Sequence, residues 1–265
     1  MRITQTLSWD NIRTKIDRLC CQKEIIAVID GHKEELKLVK EAADGAGGFL
    51  SDIEGSLLYA LAQKCAGRGV LVEIGSYTGK STIYLGKGSE AGKYVKIYAI
   101  DPHREPFQSK DDATGTYAKF TKNIENAQLG GIVNPIVKTS IEAADLISEP
   151  CELLFIDGCH KYNYVKKDFD TWFPKVIDGG IIVFHDTLSG GPKKAVREVL
   201  YRSKMFKKVG FGGSITFGEK TKENVMFDRL KNRYVFMMHS FYAFIIARND
   251  ELRRLVSVKR DNARP

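Results

Sequence analysis

The sequence contains no run of about twenty apolar residues, the length a helix needs to cross a bilayer; its longest nearly apolar stretch, Tyr234 to Ala247, falls short. Cysteine is sparse: Cys20, Cys21, Cys65, Cys151 and Cys159 are the only five among 265 residues, with no C-x-x-C pair. An odd number without that spacing argues against a zinc knuckle and against a disulfide framework, and it fits a reducing cytoplasm. The N-terminus has no apolar core of the signal-peptide kind, so a cytoplasmic protein is expected. Internal repeats and low-complexity tracts are lacking too. At 43% hydrophobic and 28% charged residues, the chain is expected to fold as an ordinary globular protein with a sizeable core.

Acidic residues are scarce at one end. The net charge is +8, and between Pro192 and Pro265 there are 18 Lys and Arg against 7 Asp and Glu, so the remainder is slightly acidic. A basic tail can attract nucleic acid, an anionic membrane surface or a phosphorylated substrate, and it can equally be a solvated face.

Apolar residues at helical spacing (Ile12, Ile16, Leu19), with Ser8 or Asp10 to cap, predict helices across 8–43, the second from about Lys33 to Ala43. The stretch "ADGAGGFLS" reads as a linker. Ser51 and Glu54 then make a capping box that opens a helix running up to Gly67. Beyond it, "VLVEI", "YVKIYAID", "GIVNPIVK", "CELLFID" and "GGIIVFHD" are short apolar runs with helical stretches near 80–87, 114–128, 140–147, 162–176 and 192–203. Strands without polar alternation, separated by helices, indicate a parallel sheet covered on both faces. "FKKVGFGGSITFGEK" adds two strands around a Gly-Gly turn, and a long helix is expected over 222–254. The expected architecture is α/β: a doubly wound, Rossmann-like, mostly parallel seven-stranded sheet. An N-terminal helical cap (1–47), a main domain (48–220) and a basic helical extension (221–265) divide the chain.

"VEIGSYTGKST", residues 72–82, resembles a phosphate loop at first sight. Such a loop needs four residues between its first Gly and the Gly-Lys-Ser/Thr, and only three separate Gly75 from Gly79. A dinucleotide G-x-G-x-x-G also fails, with Tyr77 and Lys80 at two of its glycine positions. What remains is a short glycine turn at the C-terminal edge of the first strand, where open α/β sheets bind ligands. Gly75 and Ser76 admit a ligand to the backbone, Gly79 permits the turn, and Ser81 or Thr82 opens a helix whose free N–H groups favour a carboxylate. Glu73 adds negative charge that repels a pyrophosphate and welcomes a cation. A tight strand-to-helix turn without a ligand would look the same. Asp101 ends the next strand, 22 residues after Gly79, where acids meet ribose hydroxyls. A ribose, a carboxylate and a positive centre without phosphate describe S-adenosylmethionine (SAM).

On "GFLSDIEGSLLYALA", "LVEIGSYTGKSTIYL", "IYAIDPH" and "LLFIDGCHKYNYVKKDFDTWFPKVIDGGIIVFHDT", the chain resembles class I SAM-dependent methyltransferases, in the branch rich in sugar and small-molecule O-methyltransferases. The resemblance spans roughly Gly48 to Phe217. It implies SAM as cofactor, held by Glu73, Gly75, Ser76, Gly79, Ser81, Asp101 and Asp157, with Ser140 at the adenine or serving as a helix cap. It implies His160 as general base, with Asp157 beside it, and magnesium on Asp157 and Asp186, completed by His185 or Thr187. Cys159 departs from the family string, which commonly has an acid there. His185 could also be a core histidine, and Tyr162 and Tyr164 could line the acceptor site or pack a helix. The implied activity is methylation of a small-molecule hydroxyl, a sugar or glycan intermediate. An RNA methyltransferase using the basic tail and a SAM-binding module without turnover are the alternatives. Tyr234 to Ile246, apolar around its circumference, should be buried on the domain or in a homo-oligomer, with an anionic membrane as the rival partner.

Overall fold

The computed structural model describes residues 21–104 and 115–261, with side chains described through Arg248. The expected helix around Ile12 to Leu19 and residues 105–114 lie outside the described residues.

Helices α1 (Lys23–Gly31), α2 (Lys33–Ala46) and α3 (Asp52–Gln63) lead into β1 (Val70–Ile74), and α4 (Lys80–Glu90) leads into β2 (Ile97–Ile100). Next come α5 (Thr116–Asn126), β3 (Val133–Ile136), α6 (Ser140–Leu146), β4 (Cys151–Ile156) and α7 (Tyr162–Trp172). A short 3₁₀ turn enters β5 (Val176–Phe184), then α8 (Gly190–Val196), β6 (Phe206–Gly212), β7 (Ile215–Lys220) and α9 (Met226–Asp261). The sheet has seven strands in the order β3-β2-β1-β4-β5-β7-β6. β1 to β5 pair in parallel, and β7 runs antiparallel between β5 and β6.

Every residue of β1 and β4 is buried, as strands covered on both faces require. One core joins α1 to α5 to one face of the sheet through residues such as Leu58, Ile83, Phe120 and Phe155. The other core packs α6 to α9 on the opposite face around Trp172, Phe184, Leu200 and Tyr242. The cap helices α1 and α2 therefore bury Ile25, Leu36 and Val39 in the same core as the sheet.

Three expectations change. α2 runs three residues past Ala43, into the expected linker, because Leu36, Val39, Ala43 and Ala46 form one buried stripe at helical spacing. β5 starts at Val176, three residues before the expected run; Gly179, at φ 80°, lies beside the register shift that lets this strand bend onto β4. The long C-terminal helix is not buried all round: Val235, His239, Tyr242 and Ala243 face the sheet, while Tyr234, Met237, Phe241 and Phe244 face outward.

The parallel register positions the functional edge. Ile74 pairs with Ile100 and with Ile156, and Ile156 pairs with Phe184. The residues that follow these strands, Gly75, Asp101, Asp157 and His185, therefore stand side by side at one edge, next to the crossover between β1 and β4.

Helices α3 and α4 approach through glycine: a Cβ on Gly88 would sit 2.2 Å from the Tyr59 carbonyl oxygen. Gly88→Ala is expected to cost about 2–4 kcal/mol, read as a lower urea midpoint with an unchanged m-value. An unaffected midpoint would contradict this packing.

Candidate active site

The turn after β1 is built by close approach. Gly75 has φ 89°, and a Cβ there would lie 2.2 Å from the Asp157 carbonyl oxygen. No other residue type fits both conditions. Gly79, at φ 95°, caps α4, and Asn123 Nδ2 ties the turn down by donating to the Thr78 carbonyl at 2.8 Å. Ser76 is 2% exposed, and its Oγ is buried without a hydrogen-bond partner among the described residues. An orphaned hydroxyl beside the first free N–H groups of a helix suits a polar ligand.

Asp101 closes this pocket from β2. Its Oδ2 accepts from the Tyr77 N–H at 2.9 Å and its Oδ1 from the His103 N–H at 2.7 Å. Both donors sit in left-handed backbone, Tyr77 at φ 45° and His103 at φ 48°, a strained arrangement that clusters at functional sites. Burial holds the His103 imidazole below its ordinary pKa.

Glu73 does not face this pocket. It is fully buried, with Oε1 accepting from Ser81 Oγ and Oε2 from Thr82 Oγ1, both at 2.5 Å. Burial pushes its carboxyl up to about 7 despite those two bonds. The expected anion is thus an internal brace for the start of α4, and the Ser81 hydroxyl is taken up by it. Ser140 also departs from its reading as a cap: Thr139 caps α6, in a box with Glu142. The Ser140 hydroxyl donates instead to Asp168 Oδ1, whose other oxygen approaches Gly158. Burial raises the Asp168 carboxyl.

Across the edge, five ionisable groups meet. His185 Nδ1 lies 3.0 Å from Asp157 Oδ1 and 3.6 Å from Asp186 Oδ2, and its Nε2 lies 3.7 Å from Glu54 Oε2. Burial alone would lower the His185 pKa, but the three carboxylates outweigh it and raise it to about 12. Glu54 responds in the opposite sense: burial would raise its carboxyl, yet the imidazolium and the bonds from Ser51 hold it far below the usual range. The carboxylates around both ring nitrogens favour the imidazolium form, and His185 lies outside the compact group of Asp157, His160 and Asp186.

His160, rather than His185, forms a compact group with the two acids. Asp157, His160 and Asp186 each present one donor atom within 4.8 Å of the others. His160 Nε2 is 3.3 Å from Asp186 Oδ2 and 3.8 Å from Asp157 Oδ1, and Asp157 followed by Asp186 holds the imidazole above its ordinary pKa, against burial. Its backbone is pinned by Gly191, where a Cβ would meet the His160 carbonyl oxygen at 2.3 Å. Thr187 turns away, bonding Ser214 and Thr216 and approaching His239 on α9. Cys159 is exposed. Tyr162 lies under Lys194 of α8 and donates to Glu198 just beyond it, and Tyr164 is exposed.

Glu54 was legible only as a helix cap. Its second role, bringing the α3 end and the Ser214 N–H (2.6 Å) to His185, has no local signal, because those partners lie more than 130 residues away in the chain.

Residues 72–187 match the sequence family described as a methyltransferase domain. Over 122 residues the chain is 30% identical to the uncharacterized protein y4gI of Sinorhizobium fredii, covering 44% of this chain and 13% of that protein. It thus spans about an eighth of that curated relative's length. Among solved structures, an O-methyltransferase from Bacillus cereus in complex with SAH shares 18% identity, with a TM-score of 0.51 over 79% of this chain and 97% of that one. The O-methyltransferase TomG from Streptomyces achromogenes, involved in tomaymycin synthesis and solved with SAM, shares 14% identity, with a TM-score of 0.52 over 83% and 100%. Residues 72–187 are therefore similar to methyltransferase domains, and the chain shares its fold with these solved O-methyltransferases.

Because folding raises the His185 pKa, its contribution to stability is complete below the ordinary value of 6.5 and is lost as pH rises toward about 12. Imidazole NMR is expected to show His185 protonated throughout pH 6–9 while His160 titrates above the usual midpoint. A neutral His185 at pH 7 would contradict the cluster.

Proposed function

We propose that this methyltransferase domain uses SAM to methylate a hydroxyl of a small molecule, a sugar or glycan intermediate. The observation that carries the proposal is the pairing, at one sheet edge, of a phosphate-free glycine turn closed by Asp101 with an acid–histidine cluster on β4 and β5.

The donor half follows from the turn. The unpaired Ser76 hydroxyl and the first N–H groups of α4 suit the methionine carboxylate. Each Asp101 oxygen accepts one backbone N–H and keeps a second lone pair that suits a ribose hydroxyl. Gly75 keeps the backbone low enough for the sulfonium to pass.

The acceptor half follows from the cluster. An acceptor oxygen attacks the methyl carbon in line, the carbon–sulfur bond breaks with its electron pair going to sulfur, and neutral S-adenosylhomocysteine (SAH) leaves. The hydroxyl proton passes to His160, and the Asp157–Asp186 pair stabilises the imidazolium that forms. His185 stays charged throughout and keeps Asp157 oriented. Positioning the two reactants supplies much of the acceleration.

Asp157, His160 and Asp186 also fit a divalent cation, because two carboxylates and an imidazole within 4.8 Å of one another form a compact donor set. Such an ion would lower the pKa of a bound hydroxyl. Magnesium prefers oxygen donors, so the imidazole favours manganese or zinc over it.

Asp101→Ala is expected to weaken SAM binding roughly 10- to 100-fold by calorimetry, with unchanged circular dichroism; unaltered affinity would contradict the donor site. His160→Ala is expected to leave SAM affinity intact while cutting turnover roughly a hundredfold. Since only the unprotonated imidazole accepts the proton, wild-type turnover should rise with pH through a midpoint above the ordinary imidazole value. Wild-type rates in the variant would remove the base. A screen of extracts with isotopically labelled methyl donor would identify the acceptor: label in small hydroxylated molecules supports the proposal, and label confined to RNA or protein contradicts it.

A further inference from the structure

The outward face of α9 carries Phe227, Leu230, Tyr234, Met237, Phe241 and Phe244, each more than half exposed. Their spacing alternates three and four, the seam of a helix that pairs with another helix by knobs-into-holes packing. The opposite face is already used: Val235, Tyr242 and Ala243 are buried, Phe236 stacks on Tyr201, and His239 and Tyr242 contact Phe211. A helix anchored on one side presents the other as a rigid ridge.

We propose that this ridge is a homodimer interface, in which α9 of a second copy lies antiparallel against it. The seam is self-complementary about a two-fold axis. One antiparallel register pairs Phe227 with the partner's Phe244, Leu230 with the partner's Phe241 and Tyr234 with the partner's Met237, so all six apolar residues meet only one another.

Charge selects the same arrangement. Arg229, Lys231 and Arg233 border the N-terminal half of the seam, whereas from Tyr234 to Ala247 the only titratable side chains besides tyrosine are those of His239, which is buried. Antiparallel pairing sets the basic half of each helix against the uncharged half of the other. Parallel pairing would stack the three cations on their own copies, a like-charge cost. The area suffices: six half-exposed large side chains cover roughly 600 Å² per copy, which approaches the ~800 Å² per partner of a standard interface.

The test uses the full chain. Wild type is expected to sediment as a dimer at micromolar concentration. Met237→Glu/Phe241→Glu is expected to weaken the dimer at least roughly a hundredfold while leaving the far-UV circular dichroism of the folded monomer unchanged, since both side chains point away from its own sheet. In a Cys159→Ser background, Tyr234→Cys mixed with Met237→Cys is expected to form an interchain disulfide. Efficient self-linking of Tyr234→Cys alone would overturn the antiparallel register. A wild type that stays monomeric, or a dimer that survives the double substitution, would overturn the interface. Monomers that bind phosphatidylglycerol vesicles through the same two residues would overturn it in favour of a lipid surface.

Discussion

A histidine buried among three carboxylates, which favour its charged form, ties together the C-terminal edge of the sheet. Removing an imidazolium from water is costly, and the structure offsets this only because Glu54, Asp157 and Asp186 converge on His185 from α3, β4 and the turn after β5. Glu54 extends the link by accepting the Ser214 N–H from the β6–β7 turn. Asp186 reaches back only because its backbone is left-handed, φ 54°. Four elements are thereby joined at one histidine, and taking away His185 would leave three carboxylates facing one another without compensation.

This division of roles separates the two histidines. His185 is 6% exposed and its charge is fixed by its partners. The His160 side chain is 60% exposed and shares two of the same carboxylates at longer range. One histidine can therefore maintain geometry while the other exchanges a proton with an acceptor. The glycine turn is built from different materials, glycine and backbone N–H groups, and meets the cluster where Gly75 approaches the Asp157 carbonyl and Ile74 accepts the Asp157 N–H. That contact couples the two halves: the strand end that presents Asp157 also sets the floor under the donor.

The sheet and the identity of its functional edge were readable in the chain because apolar runs and glycine turns are local signals. The register then places Gly75, Asp101, Asp157 and His185 in a row without further information. Side-chain direction was less legible. Glu73 and Asp101 both sit at strand ends, yet one is swallowed by two hydroxyls and the other receives backbone donors; residue type and position do not separate them. Ser140 and Thr139 differ by one place in a helix start, and the Glu142 box decided between them. Which of His160 and His185 would join the compact group with Asp157 and Asp186 was not legible, because that depends on ring orientation. α9 read as apolar all round, whereas packing uses one face and leaves the other on a 3.5-residue repeat. This fold class is shared with structures of 14–18% identity, which confirms the scaffold and says nothing about the acceptor.

The central claim is that the glycine turn and Asp101 form a SAM-type site facing the acid–histidine cluster. Amide chemical-shift mapping during titration with SAH tests it most directly. The account predicts saturable shifts concentrated at Gly75 to Ser81, at Asp101 to His103 and at Asp157 to Gly158, competed by SAM and indifferent to diphosphate nucleotides. An unperturbed edge, or the same shifts produced by a nucleoside diphosphate, would contradict it.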